Sequence, residues 1–313
     1  MSDLKYEHKP VLLNEVLNGL NLRPGGYYVD CTFGRGGHSE AILQRLDKHG
    51  RVLAIDKDPD AIGSFRDQLA EEPRLQLVQG SFTMLEHLLA REMIEKVDGV
   101  LFDLGVSSPQ FDNPCRGFSF QRDGILDMRM NPEIDISAAE WLNSAKENEI
   151  VDVLHRYGEE RYARRIAKKI VNERINNPVQ GTVQLADLVK SECPVNRNSD
   201  KHPATKTFQA IRIFINQELD ELKNVLSQVI NVLSPGGRLL VISFHSLEDR
   251  IVKRFIRQES RGDHYPPELP VSHELLQPRL KAIGKAIRPT RDEIDQNPRA
   301  RSAVLRIAER CPT

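Results

Sequence analysis

Four short apolar runs, Tyr27 to Val29, Val52 to Ile55, Leu75 to Val78 and Val97 to Phe102, mark the N-terminal third of the chain. Helical patterns separate them, the first from about His38 to Leu46 and the second from Pro59 to Leu69. Strands alternating with helices predict a parallel sheet of βαβ units, an α/β fold of the Rossmann-like, doubly wound kind. From Asn113 to about Pro203 the sheet signal disappears. Ser137 with Glu140 has the spacing of a capping box opening a helix through Trp141. Ile150, Val153, Leu154 and Tyr157 then recur at helical spacing, as do Ala163, Ile166, Ala167, Ile170 and Val171. Arg161, Arg164, Arg165, Lys168 and Lys169 fall between the second set, which predicts a helix with a basic outer face.

A long helix is expected from about Thr205 to Leu233, ended by Ser234-Pro235-Gly236-Gly237. Arg238 to Phe244 follows as a strand, Ser246 with Asp249 opens a helix through Phe255, and Ala303 to Ile307 offers a last short strand. The organisation expected is a core in two parts, 1–112 and 205–313, around an inserted all-helical domain at 113–204, assigned to RNA recognition.

The segment Asp30-Cys31-Thr32-Phe33-Gly34-Arg35-Gly36-Gly37-His38 lies between an expected strand and an expected helix, the context in which a Gly-rich loop approaches a ligand. A dinucleotide fingerprint would carry a third glycine where Ser39 stands. That argues against a nicotinamide or flavin cofactor. Asp30, at the end of the first strand, suits a cationic amino group such as the methionine end of S-adenosylmethionine. Asp56 ends the second strand, where a carboxylate can accept both ribose hydroxyls. A tight strand-to-helix turn with no ligand is the alternative.

The fourth strand runs into Asp103-Leu104-Gly105-Val106-Ser107-Ser108-Pro109-Gln110-Phe111. Ser108-Pro109-Gln110-Phe111 resembles the Asp/Asn/Ser-Pro-Pro-aromatic motif of amino-group methyltransferases, with Gln110 in place of the second proline. In that motif a polar side chain and a backbone carbonyl accept hydrogen bonds from an exocyclic NH₂ while the aromatic ring stacks on the base. An ordinary Ser-Pro turn has the same sequence requirement.

Composition changes little. Hydrophobic residues make up 39% and charged residues 28%, as in an ordinary folded domain. The first ten residues hold no apolar stretch of the kind a secretory signal needs, and no later run approaches the roughly eighteen apolar residues of a membrane span. A soluble, cytoplasmic protein is expected. Cys31, Cys115, Cys193 and Cys311 are far apart, so neither zinc nor disulfides are signalled. A net charge of −1 leaves nucleic acid to local patches, of which there are two: the basic helix face, and a tail carrying Arg279, Lys281, Lys285, Arg288, Arg291, Arg299 and Arg301.

The strings HKPVLL (8–13), DCTFGRGGHS (30–39), DLGVSSPQ (103–110), RGFSF (116–120), LDMRM (126–130), YGEER (157–161), HPATKTFQAIRI (202–213) and SFHSLEDRIVK (243–253) are long and chemically unusual. Together they resemble the bacterial ribosomal RNA small subunit methyltransferase H family over nearly the whole chain. The resemblance implies a class I methyltransferase core using S-adenosyl-L-methionine to methylate N4 of one cytosine in 16S rRNA, at the decoding centre of the small ribosomal subunit. It implies cofactor contacts at Gly36, Gly37, His38, Asp56, Phe82, Asp103 and Gln110, which join Asp30 and Gly34 from the loop. Catalysis would rest on Ser108, Pro109 and Asp103. Phe111, Arg164, Arg165, Lys168, His202 and His245 are candidates for RNA contact, although His202, His245 and Asp249 could equally be helix caps or satisfied buried groups. The paired methionines of Asp127-Met128-Arg129-Met130 could cover the pocket or fill the core. No metal and no membrane partner is expected, and the sequence is compatible with a monomer or a homodimer.

Overall fold

The computed structural model of the protein describes residues 10–69, 72–133, 136–194, 202–262 and 277–312. His8 and Lys9 of the first family-like string lie outside the described residues. The four early apolar runs form β1 (Tyr27–Asp30), β2 (Arg51–Asp56), β3 (Leu75–Gln79) and β4 (Val97–Asp103). β5 (Leu233–Ser243), β6 (Leu280–Ala282) and β7 (Val304–Arg310) complete a seven-stranded sheet of order β3-β2-β1-β4-β5-β7-β6. Strands β1 to β5 pair in parallel, and β7 is antiparallel to both β5 and β6. This is the doubly wound class I methyltransferase architecture. The three-residue β6 had no period to read in the sequence.

Both faces of the sheet are covered, which is why its strands read as continuous apolar runs rather than alternating ones. Val29, Leu53, Val100, Phe102 and Val241 turn to one face. There they meet α4 (Leu85–Arg91), α11 (Glu218–Val232) and α12 (Ser246–Glu259). Tyr28, Val52, Leu101, Leu240 and Ile242 turn to the other, against α1 (Leu13–Leu20) and α2 (Gly37–Leu43). The remaining early helix, α3, spans Pro59–Leu69 as the periodicity predicts. Strand order reverses between β1 and β4, and ligands of open α/β sheets bind beyond the carboxyl ends of the strands at such a switch point.

The chain divides into two compact units, Met1–Gly105 with Leu219–Thr313, and Val106–Glu218. The second unit is helical and has its own core. It comprises α5 (Ser108–Asp112), α6 (Ala138–Ser144), α7 (Glu147–Gly158), α8 (Ala163–Glu173), α9 (Thr182–Glu192) and α10 (Ala204–Ile215). Trp141, Leu154, Ile166, Leu185, Phe208 and Ile211 are among its buried side chains. The capping box at α6 forms as expected: Ser137 Oγ accepts from Glu140 N–H at 3.2 Å, and Glu140 Oε2 accepts from Ser137 N–H at 2.8 Å.

The sequence suggested one helix from about Thr205 to Leu233 and unit boundaries near 112 and 205. The structure instead has two helices, α10 and α11, and α10 packs within the helical unit against α7 and α9. The break falls at Asn216 and at Gln217, whose φ is +52°. Asn216 is recruited by the 126–130 segment: its Nδ2 donates to Met128 O at 2.8 Å, and Met130 N–H donates to its Oδ1 at 2.7 Å. Arg212 pairs with Glu218 through two 2.8 Å contacts. A buried amide serving a non-helical neighbour outweighs helix propensity here. Ser234 to Gly237 is accommodated inside β5 as a register shift, Val97 pairing with Leu233 and Gly99 with Arg238.

Asn216→Ala would leave a buried N–H and C=O of the 128–130 segment unpaired, at a cost of about 1–3 kcal/mol. The expected outcome is a lower urea midpoint with an unchanged m-value. A wild-type midpoint would refute the clip.

Candidate cofactor and acceptor site

The loop after β1 is fixed by its neighbours on both sides. Cys31 N–H donates to Leu101 O of β4 and Phe33 N–H to Ile55 O of β2, each at 2.9 Å, so the ladder continues beyond the strand end. Thr32 Oγ1 accepts from Asp103 N–H at 2.6 Å. Gly34 N–H donates to Asp56 Oδ2 at 2.7 Å, while Asp56 Oδ1 accepts from Asp58 N–H at 2.8 Å. The chain then turns at Gly36, where φ is +73° and a Cβ would strike the Phe33 ring. A Cβ on Gly37 would collide with Pro10. Glycine is required at both positions, for different reasons.

Asp30 is buried, and its two oxygens accept from Thr32 N–H at 3.1 Å and from the Ser39 hydroxyl at 2.7 Å. Burial pushes its pKa up. Its place is inside the loop, bracing β1 against α2. The open valences lie next to it. Among the described residues, both ring nitrogens of His38 and Asp103 Oδ1 are buried without a hydrogen-bond partner. His38 Nε2 stands 3.6 Å from Asp103 Oδ2, an ion-pair separation. Burial would lower the His38 pKa, but Asp103 and Asp30 outweigh it and hold the imidazole above its ordinary value.

Each orphaned buried polar atom costs on the order of 1–3 kcal/mol unless a ligand satisfies it. An imidazolium donor beside a carboxylate acceptor matches the carboxylate and ammonium of an amino-acid moiety. S-adenosylmethionine therefore fits the residues present. Asp56 ends β2 with one lone pair of each oxygen still available for ribose hydroxyls. Phe82, in the turn after β3, is partly buried and packs edge-on against Phe102 of β4 with ring centroids 5.6 Å apart.

The fourth-strand loop belongs to both units. Asp103 and Gly105 lie in the first, and Ser108-Pro109-Gln110-Phe111 forms α5 in the second. Ser107 N–H donates to the buried Gln110 Oε1 at 2.9 Å, so this glutamine caps its own helix. Ser108 and Pro109 open that helix and are half-buried, and Phe111 packs against the helical core.

Among the RNA candidates, Arg164, Arg165 and Lys168 are exposed on α8 while Ala163, Ile166, Ala167 and Ile170 are buried, which is the amphipathic division the spacing predicts. Arg165 also meets Glu192 at 3.3 Å and lies over the Tyr162 ring. His202 Nδ1 accepts from Ala204 N–H at 3.2 Å and its ring packs on Phe120, 4.7 Å between centroids. His245, not Ser246, is the N-cap of α12. Its Nδ1 accepts from Glu248 N–H at 3.4 Å, and Glu248 Oε2 accepts from Phe244 N–H at 2.8 Å. Asp249 is paired with Arg306 of β7 at 2.6 and 3.0 Å. For these three residues the architectural alternative is the one the contacts describe. Met128 and Met130 are buried core residues, and Asp127 pairs with Arg129 at 2.7 Å.

Sequence reasoning passed over Thr32, Ser39 and Glu248. The first two are the hydroxyls of the Gly-rich loop, and their spacing from Asp30 was the available signal. Glu248 stands three residues after His245, a capping-box spacing hidden because histidine is an uncommon N-cap.

Burial pushes the Asp56 carboxyl up to about 6, despite hydrogen bonds from Asp58 and Gly34. If Asp56 accepts the ribose hydroxyls, it does so in its ionised form. Affinity for S-adenosylmethionine should therefore be full at about pH 7–8 and decline by about tenfold per pH unit below 6. His38, whose pKa is raised, stays protonated across that acid limb and contributes nothing to it. Calorimetric titration of the wild type and Asp56→Asn checks this: the variant should bind weakly with a flat acid limb. An acid limb retained in the variant would place the titration elsewhere.

The sequence matches the MraW methylase family over residues 5–311. Similar solved structures include a candidate rRNA methylase from Clostridium thermocellum, 11% identical, covering 97% of each chain at a TM-score of 0.45. Another is an rRNA methylase from Streptococcus thermophilus, 13% identical, covering 96% of this chain and 94% of that one at a TM-score of 0.40. These two likenesses are distant, whereas the family match is nearly end to end. The chain belongs to the MraW methylase family, the family its motifs resemble, and its cofactor is S-adenosylmethionine.

Proposed function

We propose that this methylase acts on ribosomal RNA, transferring a methyl group to N4 of one cytosine of 16S rRNA at the decoding centre of the small subunit. The observation that carries the reading is the Ser108-Pro109-Gln110-Phe111 turn, which follows directly on the β4 strand that ends in Asp103. When bound, S-adenosylmethionine supplies an electrophilic methyl carbon on a sulfonium.

The target nitrogen is a poor nucleophile because its lone pair is delocalised into the pyrimidine ring. Ser108 offers a hydroxyl, and Pro109 a carbonyl with one lone pair left after accepting from Asn113 N–H at 3.0 Å. Hydrogen bonds from the N4 amino group to these acceptors raise its nucleophilicity and hold it in line with the methyl. As the N–C bond forms the C–S bond breaks, its electrons remain on sulfur, and N4 loses one proton to solvent. Asp103 would sit against both the cofactor and the incoming base, and Phe111 would stack on that base. The cytosine must first leave its stack, as in other base-modifying enzymes.

In this reading the helical unit grips RNA. Arg164, Arg165 and Lys168 on the outer face of α8 contact phosphates and so position the substrate without reading its sequence. The alternative chemistry, thiolate addition to C6 followed by methylation at C5, is disfavoured at Cys31, whose thiol is buried and pushed well above its ordinary value by desolvation and by Asp30. Among the described residues no helix is long and apolar enough to cross a membrane.

Incubation with unmodified small subunits, naked rRNA or DNA and labelled cofactor, followed by mapping of the labelled nucleotide, tests the reading. Label is expected at N4 of a decoding-centre cytosine, and label confined to DNA or to another base would overturn it. Arg164→Gln with Arg165→Gln and Lys168→Gln should weaken rRNA binding and flatten its dependence on salt by about 0.7–0.9 for each phosphate no longer neutralised. Unchanged binding would remove α8 from the account.

A further inference from the structure

The second run of cations has no part in the chemistry above, yet it is built onto the core unit with some regularity. After β6, Ile283 N–H donates to Ile307 O, and Ile287 exchanges two hydrogen bonds with Leu305, all at 2.9 Å. The chain from Leu280 to Ile287 thus follows the outer edge of the sheet. Leu280 is buried on one face of the sheet, and Ile283 and Ile287 pack on the other. Lys281 and Lys285 fall between these anchors, Arg288 follows the last of them, and all three are exposed.

Further on, Ala300 is buried in the same core as Ile287, and Arg299 and Arg301 flank it on the outside. Thr290 caps α13 (Arg291–Gln296), which presents an exposed Arg291 at its start. Residues 279–301 hold seven cations against three carboxylates, in a chain whose net charge is −1. One carboxylate, Glu293, is engaged by Leu12 N–H at 2.7 Å, and one cation, Arg279, by Glu259 at 2.6 Å. Lys281, Lys285, Arg288, Arg291 and Arg301 form no ion pair with a described residue.

Lysine on a short edge strand also serves to prevent sheets from pairing edge to edge. That purpose accounts for Lys281. It does not account for Lys285, Arg288 and Arg301, which lie beyond the three-residue strand, nor for their want of carboxylate partners among the described residues. Cations held outward by buried anchors on an extended path of at most roughly 25 Å suit a polyanion that runs along the edge.

We infer that the edge formed by β6 and the segment through Arg301 is a second RNA-binding surface, which holds the phosphate backbone of the substrate from the cofactor-binding unit. The inference rests on the rRNA reading and adds to it a contact separate from α8.

The test uses the full chain carrying Lys281→Gln, Lys285→Gln, Arg288→Gln and Arg301→Gln, with rRNA binding measured across a salt series. If each side chain meets a phosphate, the slope of log affinity against log salt should fall by about 3, and affinity at low salt by about tenfold or more. Affinity for S-adenosylmethionine should not change, which verifies the fold. A second variant, Lys285→Gln with Arg288→Gln, leaves the strand intact and should show about half of that fall in slope. Wild-type slopes in both variants overturn the inference, whether or not Lys281→Gln promotes aggregation. Wild-type slopes with weakened binding to protein-containing subunits would assign the face to an acidic protein and also overturn it. Failure of the wild-type enzyme to methylate rRNA would count against the function proposed above, and the salt slopes would remain readable on their own.

Discussion

The cofactor end of this molecule depends on how one loop is held between two strand ends. Thr32 Oγ1 fastens it to the backbone of Asp103 on β4, and Gly34 N–H fastens it to the carboxylate of Asp56 on β2. Hydrogen bonds to charged groups contribute roughly 1.5–3 kcal/mol each, about twice an ordinary one. The loop is therefore braced by the aspartates that end two neighbouring strands. Asp56 turns both carboxylate oxygens to backbone N–H groups, those of Gly34 and Asp58, and Asp103 turns its backbone N–H to the loop while its Oδ1 has no hydrogen bond among the described residues. Moving either residue would loosen the loop and the site together.

A consequence concerns charge. Asp30, Asp56 and Asp103 converge on a small region, and burial raises the pKa of the first two. His38 is the cation placed among them, held by Asp103 and Asp30. A sulfonium with an ammonium group would bring positive charge into that cluster, and its carboxylate would be answered by an imidazolium. Electrostatic complementarity of this kind distinguishes the site from a pyrophosphate loop, where backbone N–H groups at a helix N-terminus would meet negative charge.

Much of this was legible in the sequence. The four early strands, the helix Pro59–Leu69 and the capping box at Ser137 appear where periodicity and spacing put them, because strands buried on both faces and amphipathic helices leave strong patterns. Asp56 and Asp103 were readable as strand-end carboxylates. The sheet edge was not: β6 is three residues long, and its pairing with β7 is set by contacts far apart in sequence. Nor was the break at Asn216, where the segment Thr205 to Leu233 has helical periodicity throughout. The decision is taken by a hydrogen bond to Met128, 88 residues away. Asp30 was read as suiting a cationic amino group from its charge and its place at the strand end, while its hydrogen bond from the Ser39 hydroxyl was not legible in the sequence.

The same contrast separates two kinds of motif residue. Arg116 donates to the carbonyls of Arg129 and Met130, Glu160 accepts from Tyr162 N–H, His245 and Glu248 cap α12, and Asp249 joins that helix to β7. All of them lie in unusual, family-like strings and all have protein partners, although Arg116 Nε and His245 Nε2 are buried without a hydrogen bond among the described residues. His38 and Asp103 lie in equally unusual strings, and neither ring nitrogen of His38 nor Asp103 Oδ1 has a hydrogen-bond partner among the described residues. A fold selected for stability alone would have paired or replaced those atoms, since each costs as much as a typical hydrogen bond contributes. An unusual residue marks a constraint of either kind. His38 differs in degree: both of its ring nitrogens lack a hydrogen bond among the described residues, whereas His245 Nδ1 accepts one from the helix it caps.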